Sequence, residues 1–143
     1  TGLFASPAAG ADDRALAETV IRTTGDALWV EREELLDAVT ALSGSGPAYV
    51  FYFLEAMERA GTQMGLSAEQ ARRLAVGTFA GGSALAADSP EPLATLRERV
   101  TSKGGTTYAA LTHLDQAGVQ DAFAGALRAA AVRAKELGDE FGR

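Results

Sequence analysis

Leu74-Ala75-Val76-Gly77-Thr78-Phe79-Ala80-Gly81-Gly82-Ser83-Ala84-Leu85-Ala86-Ala87 decides how the chain folds. The run is nearly all apolar or small, and Ser67, with Glu69 and Gln70 just behind it, supplies a helix start. Each glycine inside a helix costs about 1 kcal/mol relative to alanine. Gly77, Gly81 and Gly82 therefore imply that another element comes close to this backbone, and the run reads as a buried central helix. Packing within one subunit and interlocking between two subunits both fit, and the sequence alone favours the former.

Around this run the pattern from Glu31 onward is helical, with breaks at Ser43 to Pro47, Gly65 to Ser67, Ser89 to Pro92, Ser102 to Gly105 and Gly118. Five or six helices result. The helix from about Pro47 to Met64 carries Tyr49, Val50, Phe53, Leu54 and Met57 at helical spacing. The last, about Val119 to Phe141, alternates Arg128, Arg133, Lys135, Glu136, Asp139 and Glu140, which reads as a solvated face.

The first thirty residues differ. Thr1 to Ala5 is a short apolar run that suits a strand. A helix follows with Asp12 and Asp13 in its first turn, a stripe of Leu16, Val20 and Ile21, and Gly25 suited to its C′ position. Ala27 to Val30 then reads as a second strand. Such a βαβ-like fragment needs further strands to cover both faces, so the chain is expected to be part of something larger.

Composition narrows the function. At 143 residues and 47% apolar, the chain is long enough for one domain with an adequate core. A net charge of −6 without a basic cluster argues against nucleic acid as a partner. The absence of cysteine, with His113 the single histidine, removes thiol chemistry, disulfides, usual zinc sites and histidine triads. His113 lies six residues beyond Thr107, well round the same helix, and reads as a surface or core-edge residue. The glutamates and aspartates show no metal spacing, so no metal is expected. No uninterrupted apolar run is long enough to span a membrane, and no signal peptide is visible; a cytoplasmic protein without a membrane partner is the expectation.

Two turns carry the chemistry. Val100-Thr101-Ser102-Lys103-Gly104-Gly105-Thr106-Thr107-Tyr108-Ala109-Ala110-Leu111 places glycines and hydroxyls directly before a helix. The first amides of a helix have no intrahelical partner and sit at the positive end of its dipole, so such a turn can hold a small anion. It can equally be a helix cap, with the hydroxyls satisfying those amides. Leu42-Ser43-Gly44-Ser45-Gly46-Pro47-Ala48-Tyr49 fails as a dinucleotide fingerprint, because Tyr49 stands where the third glycine belongs and a helix precedes it. Pro47 fits a first helical position with Ser45 or Gly46 as the cap, making a tight turn between helices. It can also form a wall of the same pocket.

Taken together, Asp37 to Tyr49 and Val100 to Thr107 resemble the two hallmark segments of pyrroline-5-carboxylate reductase, and the likeness runs along about the whole chain. The resemblance implies a mainly α protein. Residues 1–30 would be the C-terminal remnant of a Rossmann dinucleotide-binding domain, and residues 31–143 a multi-helix bundle for substrate binding and dimerisation. It further implies reduction of 1-pyrroline-5-carboxylate to L-proline with NAD(P)H, the nucleotide being held mainly by an N-terminal domain these residues lack. The chain alone would then be inactive, and its partners further copies of itself, in a homodimer or higher oligomer through the helical domain, and the small molecules pyrroline-5-carboxylate and proline.

By matching positions, the resemblance assigns Ser102, Gly104, Gly105 and Thr106 to the substrate carboxylate. Thr107 would bond the ring nitrogen and assist its protonation, Thr40 would line the pocket, and Ser43, Gly44, Ser45 and Gly46 would lie near it. Two departures stand out: Lys103 replaces the family's proline, and Pro90-Glu91-Pro92-Leu93 leaves Asp88 and Glu91 as alternatives for an acidic pocket residue. A helical interaction module, or a related imine or hydroxyacid reductase domain, are the other readings the residues allow.

Overall fold

The computed structural model describes residues 1–142. Strand β1 (Gly2–Leu3), helix α1 (Ala11–Arg22) and strand β2 (Leu28–Trp29) come first. Helix α2 (Leu35–Val39) runs into a π-helical turn (Thr40–Gly44), followed by α3 (Gly46–Gln63), α4 (Ala68–Asp88), α5 (Leu93–Arg99), α6 (Thr106–Gln116) and α7 (Val119–Phe141). The mainly α class is as expected. Two compact units result: Thr1–Pro47 with Ala124–Arg143, and Ala48–Phe123.

In the first unit, β1 and β2 pair in parallel, Gly2 opposite Leu28 and Leu3 opposite Trp29. Helix α1 supplies the crossover that parallel pairing demands. Asp13 accepts from the Gly10 amide at 2.9 Å and opens α1, with Asp12 beside it. Gly2 must be small, since a β-carbon there would stand 2.9 Å from Val39 Cγ1 on α2. One expectation fails here. Thr23, in a right-handed conformation, caps α1, and Gly25, with φ of +148°, turns the chain two residues later. The Thr23 and Thr24 hydroxyls take the Val20 and Ile21 carbonyls at 2.7 and 2.8 Å, so no glycine is needed at the earlier position.

Glu18 ties α1 to β2. Its carboxylate accepts from Trp29 Nε1 at 3.0 Å and from Arg22 Nε and Nη2 at 2.8 and 2.6 Å, while Arg14 lies 5.5 Å from the Trp29 ring centre. The indole bond first, then Arg22, holds the Glu18 carboxyl below the usual glutamate range. A lowered folded-state value means the contact is in force above the ordinary glutamate range and is lost as pH falls through the lowered one. Trp29 is the sole tryptophan. Its emission is therefore expected to hold steady through the ordinary glutamate range and to change only at lower pH; Glu18→Gln should abolish that step.

In the second unit, α3 and α4 form a hairpin whose turn is closed by a Schellman motif. Leu66 N donates to Gly61 O and Gly65 N to Thr62 O, both at 3.1 Å, with Gly65 at φ +100°. Ser67 then caps α4: the Gln70 amide donates to its hydroxyl at 3.2 Å, and its own amide donates to Gln70 Oε1 at 2.9 Å. The helices meet at Gly61, where a β-carbon would stand 2.8 Å from Ala71 Cβ. Tyr49, Phe53 and Phe123 add edge-to-face contacts with centroids 5.6 Å apart.

The expectation of an adequate core does not hold within the chain. Among the described residues the fully buried positions are Ala41, Gly61, Ala71 and Ala75. The central-helix reading of α4 is corrected in the same way. Only its first turns are covered, and a β-carbon at Gly77, Gly81 or Gly82 would meet nothing within 4 Å. Leu85 is 69% exposed and Leu74 59%, while Phe51 and Tyr52 on α3 are equally bare. Among the described residues nothing makes the close approach that the glycines imply. A groove of about 370 Å³ on the α3–α4 face is lined by Phe51, Leu54, Ala75 and Val76, with Glu55, Glu58 and Arg72 alongside. The charges of α7 behave as expected: Arg133 pairs with Glu136 and Glu140, and Lys135 with Asp139.

Candidate functional site

Helix α5 ends at Arg99, and Val100 and Thr101 lead into the donor-rich turn. The Gly105 amide donates to Ser102 O at 3.0 Å and closes a tight turn whose third residue, Gly104, has φ of +72°. A side chain at that position would be strained, so glycine is required. Gly105 is favoured for a different reason: a β-carbon there would displace Ser102 Oγ and lie 3.2 Å from Ser102 O.

Gly105 is the N-cap of α6, and no side chain caps the helix. The first helical bond at this end is Ala109 N to Gly105 O, at 3.1 Å. The amides of Thr106, Thr107 and Tyr108 thus have no hydrogen-bond acceptor among the described residues. The hydroxyls of Ser102, Thr106 and Thr107 make no hydrogen bond within the described residues either, whereas Thr101 and Thr112 bond back to Arg97 O and Tyr108 O. The cap reading of this segment therefore does not describe it. Three amides and three hydroxyls without partners among the described residues thus belong to the turn and first residues of one helix, with Lys103 exposed in the turn as the added cation. Chemically, this arrangement suits a small planar anion such as a carboxylate.

Thr40 opens the π-helical turn, in which Ser45 N donates to Thr40 O at 2.9 Å. Pro47 explains the widened turn. A continuous α-helix would drive its ring into the Ser43 carbonyl, so the helix loosens by one residue and restarts at Gly46. Pro47 is accordingly the second helical residue of α3, not the first, and Ser45 alone separates the two helices. Thr40, Ser43 and Gly44 are exposed, and Ser45 and Gly46 half-buried. These residues belong to the first compact unit and the Ser102–Thr107 turn to the second.

Of the two candidate acids, Asp88 is the last residue of α4, while both carboxylate oxygens of Glu91 engage Arg99. Sequence reasoning missed that pair, which joins residues eight apart across a helix whose pattern carries no sign of it. His113 is exposed in the last turn of α6. Among the described residues no group of acidic or histidine side chains could hold a metal ion, and no helix is long and apolar enough to cross a membrane.

Residues 33–137 match the family described as pyrroline-5-carboxylate reductase dimerisation. The pyrroline-5-carboxylate reductase of Pseudomonas aeruginosa is 41% identical over 143 residues, covering 100% of this chain and 52% of the relative. In fold the chain is similar to a solved pyrroline-5-carboxylate reductase from Coxiella burnetii, with a TM-score of 0.90 and 41% identity over 95% of this chain and 50% of the other. It is also similar to the Plasmodium falciparum pyrroline carboxylate reductase solved with NADP bound, with a TM-score of 0.85 and 27% identity over 96% and 53% of the two chains. The chain spans about half the length of the curated relatives it matches.

Proposed function

The chain belongs to the pyrroline-5-carboxylate reductase dimerisation family, and from that premise we propose that it is the substrate-binding and dimerising half of a reductase making L-proline from 1-pyrroline-5-carboxylate. The observation that carries this reading is the set of unpartnered donors at the start of α6: the amides of Thr106, Thr107 and Tyr108 with the hydroxyls of Ser102, Thr106 and Thr107. The substrate carboxylate would sit on those amides, with Ser102 and Thr106 on its oxygens and Gly104 and Gly105 letting it approach the main chain. Lys103 would add attraction. Thr107, half-buried one residue into the helix, would donate to or accept from the ring nitrogen and hold the proton that nitrogen gains. Thr40 and the Ser43–Gly46 segment are assigned to substrate binding on the family resemblance alone.

The hydride would come from NAD(P)H, which supplies two electrons to the imine carbon. The residues present here do not fit its phosphates. Gly10 N at the start of α1 is already taken by the Asp13 carboxylate, and Asp12 adds a second negative charge. The nucleotide would therefore be held by residues outside these 143, with residues 1–30 as the closing βαβ piece of that domain and residues 31–143 as the helical one. An imine carbon accepts hydride readily, so orienting the ring and neutralising its carboxylate is the greater part of the work. Backbone amides and hydroxyls suffice for that. A second copy of the chain would cover the bare α3–α4 face, and the cytoplasm is the compartment the reading assigns.

The test is hydride transfer. The purified 143-residue chain should oxidise no NAD(P)H with pyrroline-5-carboxylate, and the same residues preceded by a dinucleotide-binding domain should do so. Turnover by the chain alone would overturn the reading.

A further inference from the structure

Helix α5 is seven residues long, too short to be stable without support. Its start is held by Ser89 Oγ, which accepts from the Glu91 amide at 3.2 Å, and by the Pro92 carbonyl, which accepts from Thr95 and Leu96 at 2.9 and 3.2 Å. The Glu91 side chain then reaches the far end of the helix, where Arg99 Nη1 pairs with Oε2 and Nη2 with Oε1. That two-pronged geometry is the strong form of an ion pair. Beyond Arg99, the Thr101 hydroxyl bonds Arg97 O at 2.6 Å and its amide bonds Glu98 O at 3.0 Å. Hydrogen bonds therefore hold the chain from the clamped end of α5 as far as Thr101, the residue next to Ser102, whose carbonyl accepts from Gly105 N.

We propose that the Glu91–Arg99 pair is a positioning clamp for the Ser102–Gly105 turn, and that through the turn it sets the affinity for a carboxylate ligand. The second half rests on the site reading above. In this role Glu91 is a positioning residue that acts by fixing the direction in which α5 delivers the turn. Because the Gly105 amide is bonded to Ser102 O at 3.0 Å, a small rotation of α5 would carry Gly105 and the Thr106, Thr107 and Tyr108 amides with it. Ion pairs this exposed are individually weak. The expected signature is therefore a graded change at the turn rather than unfolding.

Amide hydrogen exchange at Thr101, Gly105 and Ala109, and the proline dissociation constant, would be measured on the 143-residue chain, on Glu91→Gln and on the charge-swapped Glu91→Arg/Arg99→Glu protein. Glu91→Gln should raise exchange at those three amides and weaken proline binding by about three-fold, in line with the loss of one exposed pair. Exchange at Met64 and Leu66 should not change. The charge swap should return both quantities toward wild type. Unchanged exchange in Glu91→Gln overturns the clamp, and so does raised exchange with unchanged proline affinity. Failure of the wild-type chain to bind proline overturns the ligand half together with the site reading, while the exchange data still report on the clamp separately.

Discussion

Replacing Thr107 by valine in the full-length protein is expected to lower kcat by about 100-fold, the lower end of what a positioned proton donor contributes. Valine matches threonine in shape. The hydroxyl of Thr107 has no partner within the described residues, so its loss leaves no buried group unsatisfied and should not disturb α6. The KM for NAD(P)H should be unchanged. Thr107→Ser should retain most of the activity, because it keeps the hydroxyl. Steady-state kinetics at saturating cofactor separate these cases, and a valine variant with near wild-type kcat would remove Thr107 from the chemistry.

Replacing Gly81 by leucine is expected to convert an assembled protein into monomers. Among the described residues nothing beyond the helix's own backbone lies within 4 Å of a β-carbon at Gly77, Gly81 or Gly82, so leucine meets no neighbouring element within the subunit at that position. It should even favour α4, since leucine exceeds glycine in helix propensity by somewhat less than 1 kcal/mol. Across a two-fold interface the substitution occurs twice, and overpacking costs about 1–3 kcal/mol at each site. The dimer dissociation constant should rise by about 100-fold or more, read by analytical ultracentrifugation, while helical circular dichroism stays intact. The opposite signs are diagnostic. A loss of helix without dissociation would mean that the glycines serve packing within one chain after all.

That correction shows where sequence reasoning ran out. A small-residue stripe looks the same whether the approaching backbone is its own or a second copy's, because the glycines record only closeness. Signals confined to one turn were legible. Ser67 with Gln70 three residues on, Gly65 and Gly118 after helix ends, and Asp12 and Asp13 at the start of α1 each act on nearby amides or carbonyls, and each stands where the pattern put it. The parallel pairing of β1 and β2 also followed from the short strand-helix-strand order. The π-helical turn at Thr40–Gly44 was not legible, since an i to i−5 bond has no composition of its own and Pro47 alone hinted at it. Gly25 misled because the threonine hydroxyls before it already met the last carbonyls of α1.

At the candidate site, the position of the turn before α6 was legible from Gly104, Gly105 and the hydroxyl residues. Whether those hydroxyls cap the helix or stand free was not, because both uses call for the same residue types. The structure distinguishes them through Gly105, which occupies the N-cap without a side chain and leaves the next amides open.

Titrating L-proline into the isotopically labelled chain and following backbone amides tests the central claim most directly. Saturable shifts are expected, largest at Thr106, Thr107 and Tyr108. Prolinamide, lacking the carboxylate, should not produce them, and they should be lost in Gly105→Ala, whose β-carbon collides with Ser102. Shifts of equal size with prolinamide, or none at these amides as proline rises, would contradict a carboxylate cradle at the start of α6.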